Sequence, residues 1–249
     1  MARALILAIF SALLFGGLSA RLDADDTCVY EFSKGTGADQ ISWCVSSGGN
    51  IVKLDNQIGN VGAFTEGFTF CQFPGAVRLA YDDGIDQSGW NGQPPTLVSL
   101  SPLTIDRIIV NPTTSQPILR FRQKFTTDYL EKELLVDMTL TNISTADISF
   151  LTFKRISNLH PGGQLISPWN HGVGGIWVGN QSGAVTMSSV ITSKSSSEAY
   201  LTGFSDAAQC SEERVAAPIE GDLIGTINYS VGILKAGRGK TFRVNYRRM

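Results

Sequence analysis

After its first twenty residues the chain has no long apolar run, no C-x-x-C pair and no dense basic cluster. It has only two histidines, His160 and His171. Each absence removes a class of protein. Without a second apolar stretch of about 20 residues, nothing in the remainder reads as a helical membrane anchor. Without C-x-x-C, or Cys and His grouped at ligand spacing, neither a dithiol redox motif nor a structural zinc site is written in the sequence. The formal charge of −2 argues against a nucleic-acid partner, since such binding draws on clustered Lys and Arg that displace counterions. Helical periodicity is also missing. The best candidate, residues 205–217, is stopped by Pro218 and amounts to one turn or a loop. A serine nucleophile is not evident either. In residues 179–183 Ser182 stands one position late for a nucleophile elbow, and residues 203–207 lack the strand-to-helix setting.

What is present begins with a leader. Arg3 supplies a positive start, residues 4–15 an apolar run, and Gly16, Gly17, Ser19 and Ala20 the small residues of a cleavage site. This layout predicts a signal peptide over residues 1–20 and export to a secreted, extracellular or periplasmic location. Residues 21–249 then suit one large domain. All four cysteines, Cys28, Cys44, Cys71 and Cys210, fall in that part, and an even count in an exported chain reads as two disulfides. Three pairings are open. The strand-like settings of Cys44 and Cys71 favour a Cys44–Cys71 bridge, which leaves Cys28 to Cys210.

Strand signals run throughout, over residues 40–45, 50–54, 67–73, 76–81, 103–110, 117–125, 132–140, 148–155, 175–178, 198–202, 224–234 and 240–246. In the middle of the chain, Leu119, Phe121 and Phe125 alternate with Arg120, Arg122 and Lys124, and Leu134, Val136, Met138 and Leu140 with more polar neighbours. Period-two alternation of this kind belongs to half-buried antiparallel strands. The turn between the two is expected at residues 126–129. The closing segment interleaves Arg238, Lys240, Arg243, Arg247 and Arg248 with Phe242, Val244 and Tyr246, as an edge strand guarded by charge would. The fold class expected is all-β, an antiparallel β-sandwich in a single disulfide-stapled domain.

Residues 41–52, with Trp43 and Cys44, residues 66–71, ending in Cys71, and residues 81–84 resemble a group of uncharacterised secreted bacterial β-rich proteins. The resemblance implies export and a β-rich fold, and adds weight to the Cys44–Cys71 bridge. It implies no activity and no catalytic residue.

Three groups of residues are candidates for a site. The loop after Tyr81 gathers Asp82, Asp83 and Asp86 among glycines. Oxygen ligands of that sort make calcium the candidate ion, although the spacing is not that of an EF-hand and no cofactor is required. Beyond it, His160 and His171 flank a Gly-rich stretch where imidazoles could bind a metal or move protons. Lastly, Trp90, Trp169 and Trp177 stand with Tyr81 near polar loops, the mixture of ring faces and orienting groups that a sugar platform needs. Trp43, inside a strand, belongs to the core. The ligand set expected is therefore Tyr81, Trp90, Trp169, His171 and Trp177, and the partner an extracellular carbohydrate. Sequons begin at Asn142, Asn180 and Asn228. The function expected is exported, non-catalytic binding or a surface role. The rivals are a secreted carbohydrate-active or other hydrolytic enzyme and a structural envelope component.

Overall fold

The computed structural model describes residues 28–36, 40–56, 59–61, 66–82, 90–159, 166–180, 183–190, 197–203, 209–211 and 213–248. The leader, Asp83, Asp86 and His160 lie outside the described residues. Among those described, every regular element is a strand and every pairing is antiparallel.

The strands, numbered in chain order, form three sheets. A four-stranded sheet runs β1 (Tyr30–Lys34), β2 (Ile41–Val45), β3 (Ile51–Asn56), β4 (Gly59–Val61). A six-stranded sheet has the order β16 (Arg214–Val215), β15 (Ser197–Thr202), β18 (Ile224–Leu234), β11 (Ile148–Ser157), β5 (Glu66–Gln72), β6 (Val77–Asp82). The largest sheet has nine strands. Its order is β17 (Ile219–Gly221), β12 (Ser167–Gly172), β13 (Gly175–Asn180), β14 (Gly183–Val190), β19 (Gly239–Arg248), β10 (Glu133–Asn142), β9 (Pro117–Asp128), β8 (Leu103–Val110), β7 (Gly92–Leu100). The all-β, disulfide-stapled class expected from the sequence is what forms. The arrangement is not a single sandwich of two sheets, because β1–β4 make a third.

Alternation decides which side chains meet. Along β10 every second residue from Leu134 to Asn142 is buried, and along β9 the same holds from Leu119 to Phe125. These faces turn toward the six-stranded sheet, where Phe121 makes edge contacts with Phe68 and Phe70 at centroid distances of 4.8 and 5.1 Å. Further along the same interface Phe242 lies 5.0 Å from Tyr229 and 6.1 Å from Phe153. Ring pairs of this geometry add about 0.5–1.5 kcal/mol each beyond their buried area. They fix how the nine-stranded and six-stranded sheets sit on one another.

Several local expectations are corrected. The bridges are Cys28–Cys44 and Cys71–Cys210, with Cα separations of 5.5 and 5.6 Å. Cys44–Cys71 does not form: β2 and β5 are not neighbours, β5 being flanked by β11 and β6, and each cysteine is bonded to another partner. Cys28 instead precedes β1, whose Glu31 is in register with Cys44. The final strand is not an edge: β19 pairs with both β10 and β14. Its arginines face acidic neighbours, Arg243 holding Asp137 at 2.6 and 2.9 Å and Arg247 lying 3.4 Å from Glu131. β9 continues through Asp128, so the turn falls at residues 129–132, where the Asp128 carboxylate accepts the Leu130 and Glu131 amides. The described part of 205–217 contains the short strand β16 and no helix.

Candidate functional site

The structure separates the residues that the sequence grouped. Tyr81 and Asp82 end β6, which lies over β8. His171 and Trp169 are on β12 and Trp177 on β13, near β15 at the other side of the stack. From β8 to β12 is six strand positions along the nine-stranded sheet, about 29 Å along its surface at the usual ~4.8 Å spacing. Asp82 and His171 do not share a pocket. The aromatic set fails as a platform for a second reason. Trp169 is buried and donates its indole N–H to the Gly221 carbonyl at 3.0 Å, while Trp177, on the other face of the hairpin, is 36% exposed. Asn142 is no glycan acceptor, since its amide is buried and donates to the Ala146 and Leu234 carbonyls.

Asp82 and Trp90 belong to a buried ionic centre where the three sheets meet. Arg107 on β8 and Arg155 on β11 point inward at positions that alternation reserves for apolar groups, and both are fully buried. The Arg107 guanidinium is paired with the Asp82 carboxylate, donates to the Gly48 carbonyl at 3.2 Å and lies 3.6 Å over the Trp90 ring. Asn50 holds the other Asp82 oxygen at 2.9 Å. Both carboxylate oxygens of Asp82 are therefore engaged within the protein, which takes the residue out of the calcium ligand set expected from the sequence. Arg155 binds Glu66 through Nε at 2.9 Å and Nη2 at 2.5 Å, and reaches Gln123 Oε1 at 2.6 Å. Glu66 also accepts from the Tyr246 hydroxyl and from the Ile51 amide. The β2–β3 turn caps the centre through Gly49, whose φ of +89° suits glycine and where a Cβ would fall 2.2 Å from Gln123 Nε2.

Burial pushes the Glu66 carboxyl up to about 7, against the lowering pull of Arg155 and the Ile51 amide and with a further push from Asp82. A carboxyl poised near neutrality suits general acid–base chemistry. Glu66 is only 1% exposed, however, and its oxygens are taken by Arg155, Tyr246 and Ile51. The centre ties sheets together and offers no face to a substrate.

Among the described residues, an open groove of about 400 Å³ lies between β1, the turn joining β7 to β8, and the end of β9. Its lining includes Phe32, Lys34, Trp43, Leu100, Lys124 and Thr126. Alternation along β1 puts Tyr30, Phe32 and Lys34 on one face. There Phe32 stacks on Trp43 at 5.0 Å and 13°, and Trp43 on Phe125 at 6.1 Å and 29°. Trp43 is buried as expected and anchors the stack by donating its indole N–H to Thr127 Oγ1 at 2.8 Å. Phe32 is half-buried, and Leu100, 69% exposed, forms the rim opposite. The described acidic, Cys and His side chains close enough to share an ion are Cys28, Glu31 and Cys44, and the two cysteines are spent in a disulfide.

No protein-family model matches the chain, and no curated protein is similar to it in sequence. Solved structures do match. A bacterial glucoamylase complexed with acarbose superposes with a TM-score of 0.51 at 11% identity, over 84% of this chain and 30% of the glucoamylase. A candidate aldose 1-epimerase from Escherichia coli K12 superposes with a TM-score of 0.51 at 12% identity, over 88% of this chain and 98% of the epimerase. The likeness is one of fold. This chain spans less than a third of the glucoamylase and nearly all of the epimerase.

Of the groove residues, the sequence marked Trp43 as core and Lys124 and Phe125 as strand positions, none of them as ligands, and β1 was missed altogether. The signal available was the alternation Tyr30, Phe32, Lys34 directly after Cys28. The buried centre had a signal too: Arg107 between Ile105 and Ile109, and Gln123 between Phe121 and Phe125, interrupt inward-facing apolar rows. No helix among the described residues is long and apolar enough to cross a membrane. Two disulfides are the mark of an oxidising compartment.

Proposed function

We propose that the protein is exported and acts without catalysis, binding carbohydrate outside the cell or at its surface, with the sugar seated in the groove beside Phe32. The observation that carries this reading is the Phe32–Trp43–Phe125 stack opening onto a groove of about 400 Å³ whose other walls offer hydroxyls and amines. A pyranose presents an apolar C–H face and a rim of hydroxyls. It suits a ring face flanked by a few orienting polar groups. The volume falls in the range of small-ligand pockets, roughly 300–1,000 Å³. Export is supported by the leader and by the oxidised cysteines, and the sugar class by a fold shared with a glucoamylase and a candidate epimerase.

The hydrolytic alternative is less favoured, because Asp82 is held by Arg107 and Asn50 away from His171 and Glu66 is enclosed; its other candidates, Asp83, Asp86 and His160, lie outside the described residues. A glycan screen followed by calorimetry tests the proposal. Binding should weaken by at least about tenfold in Leu100→Asp, a rim change that leaves the core intact, and in Phe32→Ala once its melting curve shows it folded. A screen without hits would favour a structural envelope role.

A further inference from the structure

The groove carries an unbalanced charge. Among its lining residues are two lysines, Lys34 and Lys124, and no aspartate or glutamate. This is not the pattern of the rest of the sheet. Arg122 is held by Asp106 at 2.7 and 2.8 Å, Arg243 by Asp137 at 2.6 and 2.9 Å, and Arg247 lies near Glu131 and Glu133. Lys124 stands in register with Asp137 on β10, but both oxygens of that carboxylate are occupied by Arg243. Lys34 places its ammonium 4.8 Å above the Tyr129 ring, a contact that leaves its positive charge uncancelled. Neither lysine has a carboxylate partner among the described residues, and both are exposed. The whole chain is slightly acidic, at −2, so a positive groove is a local feature and not a consequence of net charge.

Resting on the carbohydrate-binding reading above, we infer that the groove takes an acidic saccharide, one whose uronic-acid carboxylate is bound by Lys34 and Lys124 while a pyranose face lies against Phe32. A lone ammonium is a compact charge suited to one carboxylate oxygen. The planar fork of arginine would hold a carboxylate, sulfate or phosphate bidentately, but the arginines named above are already engaged by carboxylates, so the two ammonium groups are the cations the groove offers, and the sulfated arm of the test decides between the anions. The aromatic stack supplies affinity for any pyranose, and the two lysines supply the choice among them. Exposed lysines act in water, so their contribution should fall as salt rises.

The test is calorimetry of the full chain with a galacturonic acid trisaccharide, the matching neutral galactose trisaccharide and a sulfated galactose trisaccharide, in low salt and at about 0.5 M salt. The expected order is uronate tightest by about tenfold over neutral, in line with one or two charge-assisted contacts. Lys34→Gln and Lys124→Gln should each lower uronate affinity several-fold, lower the weak neutral binding by much less, and reduce the loss caused by salt. Equal binding of acidic and neutral sugars, with both lysine variants silent, overturns the inference and leaves carbohydrate binding standing. Tighter binding of the sulfated sugar overturns the choice of carboxylate. If none of the three binds, and a broad glycan screen is also empty, the groove reading itself falls and this inference falls with it.

Discussion

Arg107 lies 3.6 Å over the face of Trp90 while its Nη1 is paired with Asp82, so one guanidinium occupies both the ring and the carboxylate that the sequence offers as ligand groups. The Nε and Nη2 atoms of Arg107 have no hydrogen-bond partner, and the indole face stands in for one. The face of Trp90 that Arg107 covers is closed to a sugar. A buried guanidinium of this kind depends on its counter-charge.

Asp82→Asn should therefore cost about 3–5 kcal/mol, because it leaves the Arg107 charge buried and unpaired. Urea denaturation measures it. Replacing both partners with apolar residues, Asp82→Leu with Arg107→Met, should recover most of that loss. A double variant as weak as the single one would mean that the pair contributes packing and not charge balance.

Glu66 makes stability fall as pH rises. Its carboxyl is raised from 4.5 to about 7 by burial, so the folded chain holds that proton more tightly than the unfolded chain does. The stability attached to it is fully present below about 4.5 and is lost as pH climbs through about 7, a total on the order of 3 kcal/mol. Denaturant midpoints between pH 5 and pH 8 should show this decline, and Glu66→Gln, which cannot titrate, should flatten it. A slope unchanged in the variant would assign the decline to another group.

The two disulfides differ in what they close. Cys28–Cys44 spans 16 residues and Cys71–Cys210 spans 139. In the chain-entropy model their removal costs about 3 and about 5 kcal/mol respectively. Peptide mapping without reduction should recover these two linked pairs, and a Cys44–Cys71 peptide would contradict the assignment.

Calcium should not act on the fold through Asp82. The Asp82 oxygens are committed to Arg107 and Asn50, so any change in melting temperature on adding calcium should be the same in Asp82→Asn as in the parent, and a change lost in that variant would show otherwise.

Strand positions were largely legible in the sequence because alternation is a local property. All twelve strand-like runs correspond to strands, from β2 through β19. Two of the strands missed, β7 and β12, have compositions that imitate loops. β7 carries Pro94 and Pro95, which fall where its register with β8 slips between Gln93 and Thr96, so no ladder donor is lost there. β12 reads Ser-Pro-Trp-Asn-His-Gly and is held by pairing with β13 and β17 and by the buried Trp169. Position along the chain does not reveal which sheet a strand joins. For that reason the Cys28–Cys44 and Cys71–Cys210 pairings, the interior place of β19 and the separation of Asp82 from His171 were not legible in the sequence. The groove escaped notice for the same cause: Phe32, Leu100 and Lys124 come from separate elements and share a wall only after folding.

The central claim, that carbohydrate binds in the groove beside Trp43, is tested most directly by the four indole N–H signals in a nitrogen–proton correlation spectrum during saccharide titration. Trp43 donates to Thr127 on the groove wall, Trp90 to Gln93 under Arg107, and Trp169 to Gly221 in the core, while Trp177 lies on the distant β13. The account predicts that the Trp43 signal shifts and saturates while the other three stay in place. A shift of Trp177 with Trp43 unmoved would put the binding site on the β12–β13 hairpin and contradict it.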